Sequence, residues 1–273
     1  MPAKEERSSE MNRIDKKFSQ LQKERRKAFI AYITAGDPDL AKTKEIALAL
    51  ERSGVDILEL GVPFSDPIAD GPTIQAASHR AILSGTTLAK IFATVKDLRR
   101  RTAMPIVFMT YYNPVLRYGL KRFFDSCRKC GVDGVIVPDL PCEESREFIE
   151  HAGSSGVATI FLAAPTSTVK RLKRIAYNSK GFIYYVSLTG VTGARRDLPK
   201  DITRRIKAIK AMTNKPVAVG FGVSDAKQAL KIAKVADGVI VGSAIVKIIS
   251  ENKNIVARVS AFAKTIAGAV HRA

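Results

Sequence analysis

One segment of this chain, residues 56–75, reads DILELGVPFSDPIADGPTIQ. Successive side chains of a β-strand point to opposite faces, so Ile57 and Glu59 share one face while Leu58 and Leu60 share the other. Both faces are otherwise apolar, as in a strand of a buried parallel sheet. An ionised carboxylate there is costly unless it is paired or its pKa is raised. Glu59 is therefore either a candidate general acid and base or a strand-end glutamate that pairs with a lysine.

Strand-like apolar runs recur along the whole chain at the spacing of βα units. The eight predicted strands are 29–34, 57–60, 106–110, 135–137, 159–163, 182–187, 217–219 and 239–241. The predicted helices are 40–52, 88–101, 120–130, 143–152, 170–177, 203–212, 225–235 and 244–250. Strands that alternate with helices in this way predict a single α/β domain over residues 1–273, a closed (β/α)8 TIM barrel. The alternative is an open doubly wound sheet, but no G-x-G-x-x-G follows the first strand.

Residues 1–27 form a polar, basic arm that also contains acidic residues. It therefore lacks the apolar core of a secretory signal and the acid-poor composition of a transit peptide. We expect this arm to form an extra N-terminal helix that plugs the bottom of the barrel. No apolar run approaches the ~18 residues that a membrane span requires, so we expect a cytoplasmic protein without membrane contact.

The chain carries a net charge of +19, which can indicate nucleic-acid binding. However, the basic runs lie in separate segments and are not interleaved with aromatic residues; they are 23–27, 99–101, 170–174 and 204–210. We therefore interpret them as solvated helix faces and expect no nucleic-acid partner. The electrostatic field of this positive net charge would also steer an anionic substrate towards the protein.

The cysteine and histidine patterns indicate no metal or redox centre. Cys127 and Cys130 form a lone C-x-x-C that ends a predicted helix, with no second pair to complete a zinc site. The three histidines are far apart in sequence. We expect these residues to be structural.

The predicted barrel places several polar residues at one mouth, because active sites of such barrels lie at the carboxyl ends of the strands. Glu59 lies near the end of its strand, and Asp70 lies on the proline-rich loop that follows. Polar residues 111–113 follow another strand. The two carboxylates are therefore expected to share one mouth.

Glycine-rich turns follow the last two predicted strands, at 220–222 and at Gly242 and Ser243. Glycine lets backbone N–H groups approach an anion, and the helix that starts after Gly242 adds a favourable dipole. Barrels frequently bind phosphate at this position, although glycine is also common in turns for local reasons. Two further glycines in the loop 188–196 suit either a lid over a ligand or a flexible surface loop.

From residue 29 to residue 249 the chain resembles the α subunit of tryptophan synthase, the indole-3-glycerol-phosphate lyase. The resemblance rests on the segment 59–75 and on the shorter matching segments 34–38, 109–114, 137–141, 190–195, 220–224 and 242–246. It implies retro-aldol cleavage of indole-3-glycerol phosphate to indole and glyceraldehyde 3-phosphate. The implied catalytic residues are Glu59, as acid and base, and Asp70, which holds the indole N–H.

The resemblance also assigns the other site residues. The residues implied to contact substrate are Tyr32, Met109, Tyr184 and Thr192, and those implied to bind its phosphate are Gly193, Gly222, Gly242 and Ser243. Asp66 and Pro67 are implied to touch a β subunit in an α2β2 tetramer. The β subunit is implied to receive indole directly from this chain. No metal or cofactor is implied for this chain, since pyridoxal phosphate (PLP) belongs to the β subunit. The alternatives are a stand-alone lyase without a partner and a nucleic-acid-binding barrel.

Overall fold

The computed structural model describes residues 11–186, 202–220 and 222–273. In these residues the strands are β1 Ala28–Thr34, β2 Ile57–Gly61, β3 Ile106–Met109, β4 Gly134–Ile136, β5 Ala158–Ile160, β6 Leu162–Ala163, β7 Ile183–Val186, β8 Val217–Gly220 and β9 Gly238–Val241. The helices are α1 Arg13–Lys23, α2 Leu40–Arg52, α3 Pro72–Leu83, α4 Leu88–Leu98, α5 Tyr112–Tyr118, α6 Leu120–Cys130, α7 Arg146–Ser154, α8 Val169–Asn178, α9 Ile202–Lys210, α10 Ala226–Ala233, α11 Ser243–Ser250 and α12 Ile255–Val270.

The strands form one parallel sheet in the order β5-β4-β3-β2-β1-β9-β8-β7-β6. Only Phe161 separates β5 from β6, so the two edges of the sheet belong to one stretch of chain and the sheet closes on itself. Taken together, β5 and β6 are the fifth strand of an eight-stranded barrel. The predicted (β/α)8 fold is confirmed, and the predicted strand 159–163 is interrupted at Phe161.

Side chains of the strands alternate between the barrel interior and the surrounding helices. On β2, Ile57 belongs to the interior cluster, whereas Leu58 and Leu60 belong to the cluster between sheet and helices. Glu59 faces the interior above Ile57, in register with Tyr32 of β1. The predicted alternation over this strand is therefore confirmed. The lower interior is apolar and consists of Ala28, Ile30, Ile57, Val107, Ile136, Ala158, Ile160, Phe182, Ala218 and Ile240.

Helix α1 closes the lower end of the barrel. Its buried residues Ile14, Phe18 and Leu21 join the interior cluster. Glycines make room for this helix, since a Cβ at Gly134 would lie 2.9 Å from Ile14 Cδ1, and one at Gly181 would lie 3.0 Å from Ile14 Cγ2. The N-terminal helix expected from the sequence is thus present and packs into the floor of the barrel.

Asp133 stabilises the packing of α1 against the lower end of the barrel. Its carboxylate, almost fully buried, accepts hydrogen bonds from Arg99 Nη2 at 2.6 Å and Arg13 Nη1 at 2.8 Å, and from the backbone N–H of Ile106 at 2.8 Å. The side chain of Asn12 donates to the backbone oxygen of Asp133 at 2.9 Å. One aspartate therefore ties α1, α4 and β3 together.

Three helices of the structure were not predicted: α3, α5 and α12. Helix α3 starts at Pro72 directly after the proline-rich loop, and α5 has only seven residues, so neither gave a long periodic pattern. The predicted helix 143–152 is also shifted, since α7 starts at Arg146.

None of the helices in the described ranges combines the length and the apolarity needed to cross a membrane.

We predict that Asp133→Ala lowers the free energy of unfolding by about 3 kcal/mol, because it leaves the guanidinium of Arg99 buried without its partner. Chemical denaturation monitored by circular dichroism measures this change. Asp97→Ala is the control, because that carboxylate is half exposed beside Lys44 and its loss should change the midpoint little. Equal midpoints for the two variants would contradict the role given to Asp133.

Candidate active site

A cavity of about 720 Å³ opens at the carboxyl ends of the strands. Its inner wall consists of the uppermost interior side chains of the barrel, and its rim consists of the loops that follow the strands. Among the residues that line it are Tyr32, Glu59, Ile68, Asp70, Met109, Leu162, Arg171, Tyr184, Gly222, Gly242 and Ser243. The structure thus brings together the described residues predicted to be catalytic, substrate-binding and phosphate-binding.

Glu59 is the most unusual group in this cavity. It is 1% exposed, and neither of its carboxylate oxygens has a hydrogen-bond partner within the described residues. Burial, aided by the charge of Asp70, raises the pKa of Glu59 to about 8. The alternative of a strand-end glutamate paired with a lysine is therefore wrong. At neutral pH this carboxyl is mostly protonated and faces open space in the cavity.

Asp70 reaches the same cavity from the loop between β2 and α3. It is half-buried, and burial raises its pKa to about 6, although a hydrogen bond from the Tyr111 hydroxyl lowers it in part. The two carboxyls therefore differ in charge at pH 7, with Asp70 mostly ionised and Glu59 mostly neutral. Environments that separate two pKa values in this way are typical of an acid–base pair.

Tyr111 is a site residue that the sequence reasoning did not select, although it lies in the polar segment 111–113 placed at the mouth. Its hydroxyl oxygen accepts a hydrogen bond from the N–H of Ala69 at 2.9 Å, and the same hydroxyl lowers the pKa of the neighbouring Asp70 in part. Its ring packs against Phe64, with centroids 5.3 Å apart. Tyr111 thus contacts the loop that carries Asp70 through the hydrogen bond with Ala69 and through its ring on Phe64.

Tyr32, Met109 and Tyr184 form part of the wall around Glu59. Two strand glycines leave room for the tyrosine hydroxyls. A side chain at Gly61 would collide with the Tyr32 hydroxyl, and a Cβ at Gly220 would lie 2.6 Å from that of Tyr184. Both tyrosines are held neutral, because burial and the nearby carboxyls raise their pKa. The wall therefore presents flat rings and neutral hydroxyls.

The predicted phosphate site follows β8 and β9. In the sheet order, β1 separates β9 from β2, the strand that carries Glu59. Gly242 precedes α11, which starts at Ser243, and no side chain caps this helix. Within the described residues, the N–H groups of Ser243 and Ala244 therefore remain available to an anion, whereas that of Ile245 bonds the backbone oxygen of Gly242 at 2.9 Å. Gly222, after β8, lines the same cavity. Thr192 and Gly193, and the whole predicted lid 188–196, lie outside the described residues.

The tip of the loop between β2 and α3 points to solvent. Asp66 is exposed, Pro67 is half-buried, and Ile68 is 84% exposed. The hydroxyl of Ser65 donates to the carboxylate of Asp66 at 2.5 Å. One short loop thus carries Asp70 in the cavity and, close by, the exposed residues Asp66 and Ile68, of which Ile68 also lines the rim of the cavity.

One long stretch of the chain is strongly basic. Residues 169–234 contain sixteen Lys and Arg residues and three Asp residues, with no Glu. This stretch includes the consecutive helices α8, α9 and α10, and Arg205 of α9 donates to the backbone oxygen of Pro165 just before α8. One sector of the barrel therefore carries most of the excess charge, and Arg171 of this sector lines the cavity.

The cysteines fit the structural role expected for them. Cys127 and Cys130 are buried in α6, where burial raises the pKa of both thiols, to about 11 for Cys130. In the part of the chain that the structure describes, no three His, Cys, Asp or Glu residues lie close enough to hold a metal ion.

Comparison with known proteins identifies relatives over nearly the whole chain. A family model described as tryptophan synthase alpha chain matches residues 18–271. The tryptophan synthase alpha chain of Geotalea daltonii is 53% identical over 237 residues, which cover 87% of this chain and 90% of the relative. The crystal structure of the α subunit from Legionella pneumophila is similar with a TM-score of 0.90, at 35% identity over 96% of this chain and 99% of that chain. A chain of the Pyrococcus furiosus tryptophan synthase complex is 41% identical with a TM-score of 0.83, over 89% and 99% of the two chains.

We predict that Glu59→Gln stabilises the protein increasingly as the pH rises. The pKa of Glu59 is about 8 in the folded protein against 4.5 for the free side chain, so the folded state binds the proton more tightly. The stability of the wild type therefore falls as the pH rises from 4.5 to 8, and glutamine removes this loss. Thermal unfolding at pH 5 and pH 8.5 should show the variant gaining several degrees at the higher pH only.

The matched control is Glu144→Gln, since Glu144 is exposed. Its melting temperature should follow that of the wild type at both pH values. A Glu59→Gln protein that gains no stability at pH 8.5 would contradict the raised pKa of Glu59.

Proposed function

The chain belongs to the tryptophan synthase alpha chain family, and we propose that Glu59 and Asp70 carry out its lyase reaction at the mouth of the barrel. The reaction is the retro-aldol cleavage of indole-3-glycerol phosphate to indole and glyceraldehyde 3-phosphate. The observation that carries this assignment is the buried Glu59 carboxyl, unpartnered among the described residues, in one cavity with Asp70.

Glu59 supplies and recovers one proton. As a neutral acid it donates its proton to C3 of the indole ring, which gives the positively charged, C3-protonated indolenine form. The resulting carboxylate then accepts the proton of the side-chain hydroxyl on the carbon bonded to C3. The C–C bond breaks, its electron pair returns to the ring as neutral indole, and the former carbinol becomes the aldehyde of glyceraldehyde 3-phosphate. The raised pKa of Glu59 supports this role, because the cycle begins and ends with a protonated carboxyl.

Asp70 balances the charge that develops on the ring. Its ionised carboxylate accepts a hydrogen bond from the indole N–H, which becomes more acidic as C3 is protonated. A charge in a partly buried site acts more strongly than one in water, so the positive indolenine is favoured over neutral substrate. The same negative charge raises the pKa of Glu59 and so helps to keep that acid protonated.

The remaining cavity residues hold the rest of the substrate. Tyr32 and Met109 are placed to pack against the indole ring, and Tyr184 lies where the glycerol chain would run. The substrate phosphate would bind the free N–H groups at the start of α11, with Gly222, Gly242 and Ser243 around it. The basic sector of α8 to α10 supports this arrangement, because it attracts a dianionic ligand. Thr192 and Gly193 stay predictions from the resemblance.

The partner is proposed to be a β subunit, as in the Pyrococcus furiosus complex, in an α2β2 tetramer. Asp66 and Pro67 are the proposed contact residues, and the exposed Ile68 beside them gives this contact an apolar centre. PLP is expected in the partner, and no step proposed for this chain uses it. The cytoplasmic location expected from the sequence stays a prediction.

We predict that Glu59→Gln and Asp70→Asn each reduce indole formation about 1,000-fold, within the range of general acid–base and electrostatic contributions. Indole release from indole-3-glycerol phosphate is measured with and without a β subunit. The Glu144→Gln control should match the wild type. Activity that rises with the partner supports the subunit role, whereas equal activity with and without it supports the stand-alone lyase. No indole from the wild type in either case would overturn the proposed function.

We predict that Ser243→Asp weakens substrate binding without harming the fold. An aspartate in the first turn of α11 is favoured by the helix dipole, but its charge repels the substrate phosphate. The expected result is a KM at least about 10-fold higher, with an unchanged melting temperature. Ser243→Ala should change KM much less. An unaltered KM in Ser243→Asp would place the phosphate elsewhere.

A further inference from the structure

A cavity of about 360 Å³ lies at the end of the barrel opposite the two carboxylates. It is formed where α4 and α6 end, next to the turns that lead into β3 and β4, and α1 borders it. The cationic residues that line it are Arg13, Lys96, Arg99, Arg128 and Lys129, and no acidic residue in the described ranges lines it. We call this cavity the basic pocket.

Arg99 is the fixed base of the basic pocket. Its side chain is 11% exposed, and the guanidinium donates to the backbone oxygens of Met104 at 2.6 Å and Gly131 at 2.8 Å, and to Asp133 at 2.6 Å. Gly131 permits this close approach, since a Cβ there would lie 3.0 Å from Arg99 Cγ. Arg13 reaches the same aspartate from α1, so one carboxylate holds two guanidinium groups at the cavity.

The other three cations of the basic pocket are exposed. Lys96 lies one helical turn before Arg99, and Arg128 and Lys129 lie in the last turn of α6. Within the described residues, none of the three forms an ion pair. Their charges are therefore available to a ligand.

The carboxylates that neighbour these cations in the sequence are paired with other residues. Asp97 lies 3.4 Å from Lys44 Nζ, and Asp125 lies 2.7 Å from Lys121 Nζ. Each of them thus has a cation of its own outside the basic pocket.

Positive charge is consequently in excess at this cavity. The carboxylates bonded to its lining residues are Asp133 and Glu51, which accepts a hydrogen bond from the Thr102 hydroxyl at 2.6 Å. Five cations against these two carboxylates leave an excess of three positive charges. Burial lowers the pKa of Arg99, the charge of Asp133 opposes this, and the charge of Arg13 lowers it further. Cations crowded in this way repel one another, and a multivalent anion would relieve the repulsion.

We propose that the basic pocket binds a small polyphosphate anion, held by the exposed cations of α1, α4 and α6 around the fixed guanidinium of Arg99. Because these cations come from three helices, a ligand with a single charge would engage only some of them. A chain of phosphoryl groups carries several charges, and both Arg and Lys bind phosphoryl oxygens with charge-assisted hydrogen bonds. The pocket lies at the amino ends of the strands, so its ligand and the substrate proposed above bind at separate places.

Titration calorimetry of the full chain with inorganic tripolyphosphate, in 0.15 M salt, tests this proposal. A triple variant with Lys96→Gln, Arg128→Gln and Lys129→Gln should weaken binding at least about 10-fold, because it removes the three unpaired charges. The matched control carries Lys170→Gln, Lys173→Gln and Lys234→Gln, which are exposed, do not line the pocket and lower the net charge equally. It should change the Kd less than about 2-fold, since salt screens charges outside the site. Equal weakening in both triple variants would mean that only net charge attracts the anion, and would overturn the proposal.

Ser243→Asp distinguishes the basic pocket from the proposed substrate site. This variant should bind tripolyphosphate as the wild type does, because its new charge lies at the carboxyl end of the barrel. Loss of binding in Ser243→Asp would place the anion in the active site and overturn the proposal.

Adenosine triphosphate, tested beside tripolyphosphate, identifies the source of the phosphate chain. Tighter binding of the nucleotide would support a nucleoside triphosphate as the ligand, whereas equal or weaker binding would support an inorganic polyphosphate. Absence of binding of both probes to the wild type at millimolar concentration would overturn the proposal, whatever the lyase activity of the protein.

Discussion

Closure of the parallel sheet is the constraint on which the rest of this structure depends. A closed barrel has an interior that only every second strand residue enters, and that interior must be filled. In this chain the lower part is filled by apolar side chains and by Ile14 of α1. The upper part is not filled, and the cavity is what remains above the apolar layers. Glu59 occupies a position that in the layer below belongs to Ile57.

A carboxyl in such a position is destabilising, and its environment determines how it can be used. Glu59 has no hydrogen-bond partner in the described residues, so it avoids the cost of burial by remaining protonated. Asp70 lies at the edge of the same cavity and is less buried than Glu59, so its pKa is raised less, to about 6. The difference between the two pKa values thus comes mainly from the deeper burial of Glu59, to which the charge of Asp70 adds.

The barrel and the carboxylate pair were predictable because both depend on local pattern. Alternation over residues 56–60 places Glu59 inside, and parallel strands bring their carboxyl ends to one mouth. Tyr111 was not selected, because its contact with Ala69 joins residues 42 positions apart and depends on the direction of one hydroxyl. Arg171 was not selected for a similar reason, since its place at the cavity depends on how α8 packs on the barrel. Helices α3 and α5 were missed because a proline-rich loop and a short segment give no helical period.

The loop between β2 and α3 carries both Asp70, proposed to act on substrate, and Asp66 and Pro67, proposed to contact the partner. Asp70 lies in the cavity, and the exposed Asp66 and Ile68 lie within four residues of it on the same loop. In the proposed complex, any shift of the loop that strengthens substrate binding also changes the surface offered to the β subunit. By reciprocity, the factor by which the partner tightens substrate binding equals the factor by which substrate tightens the complex. The loop would then report an occupied active site to the partner, with no second signalling element.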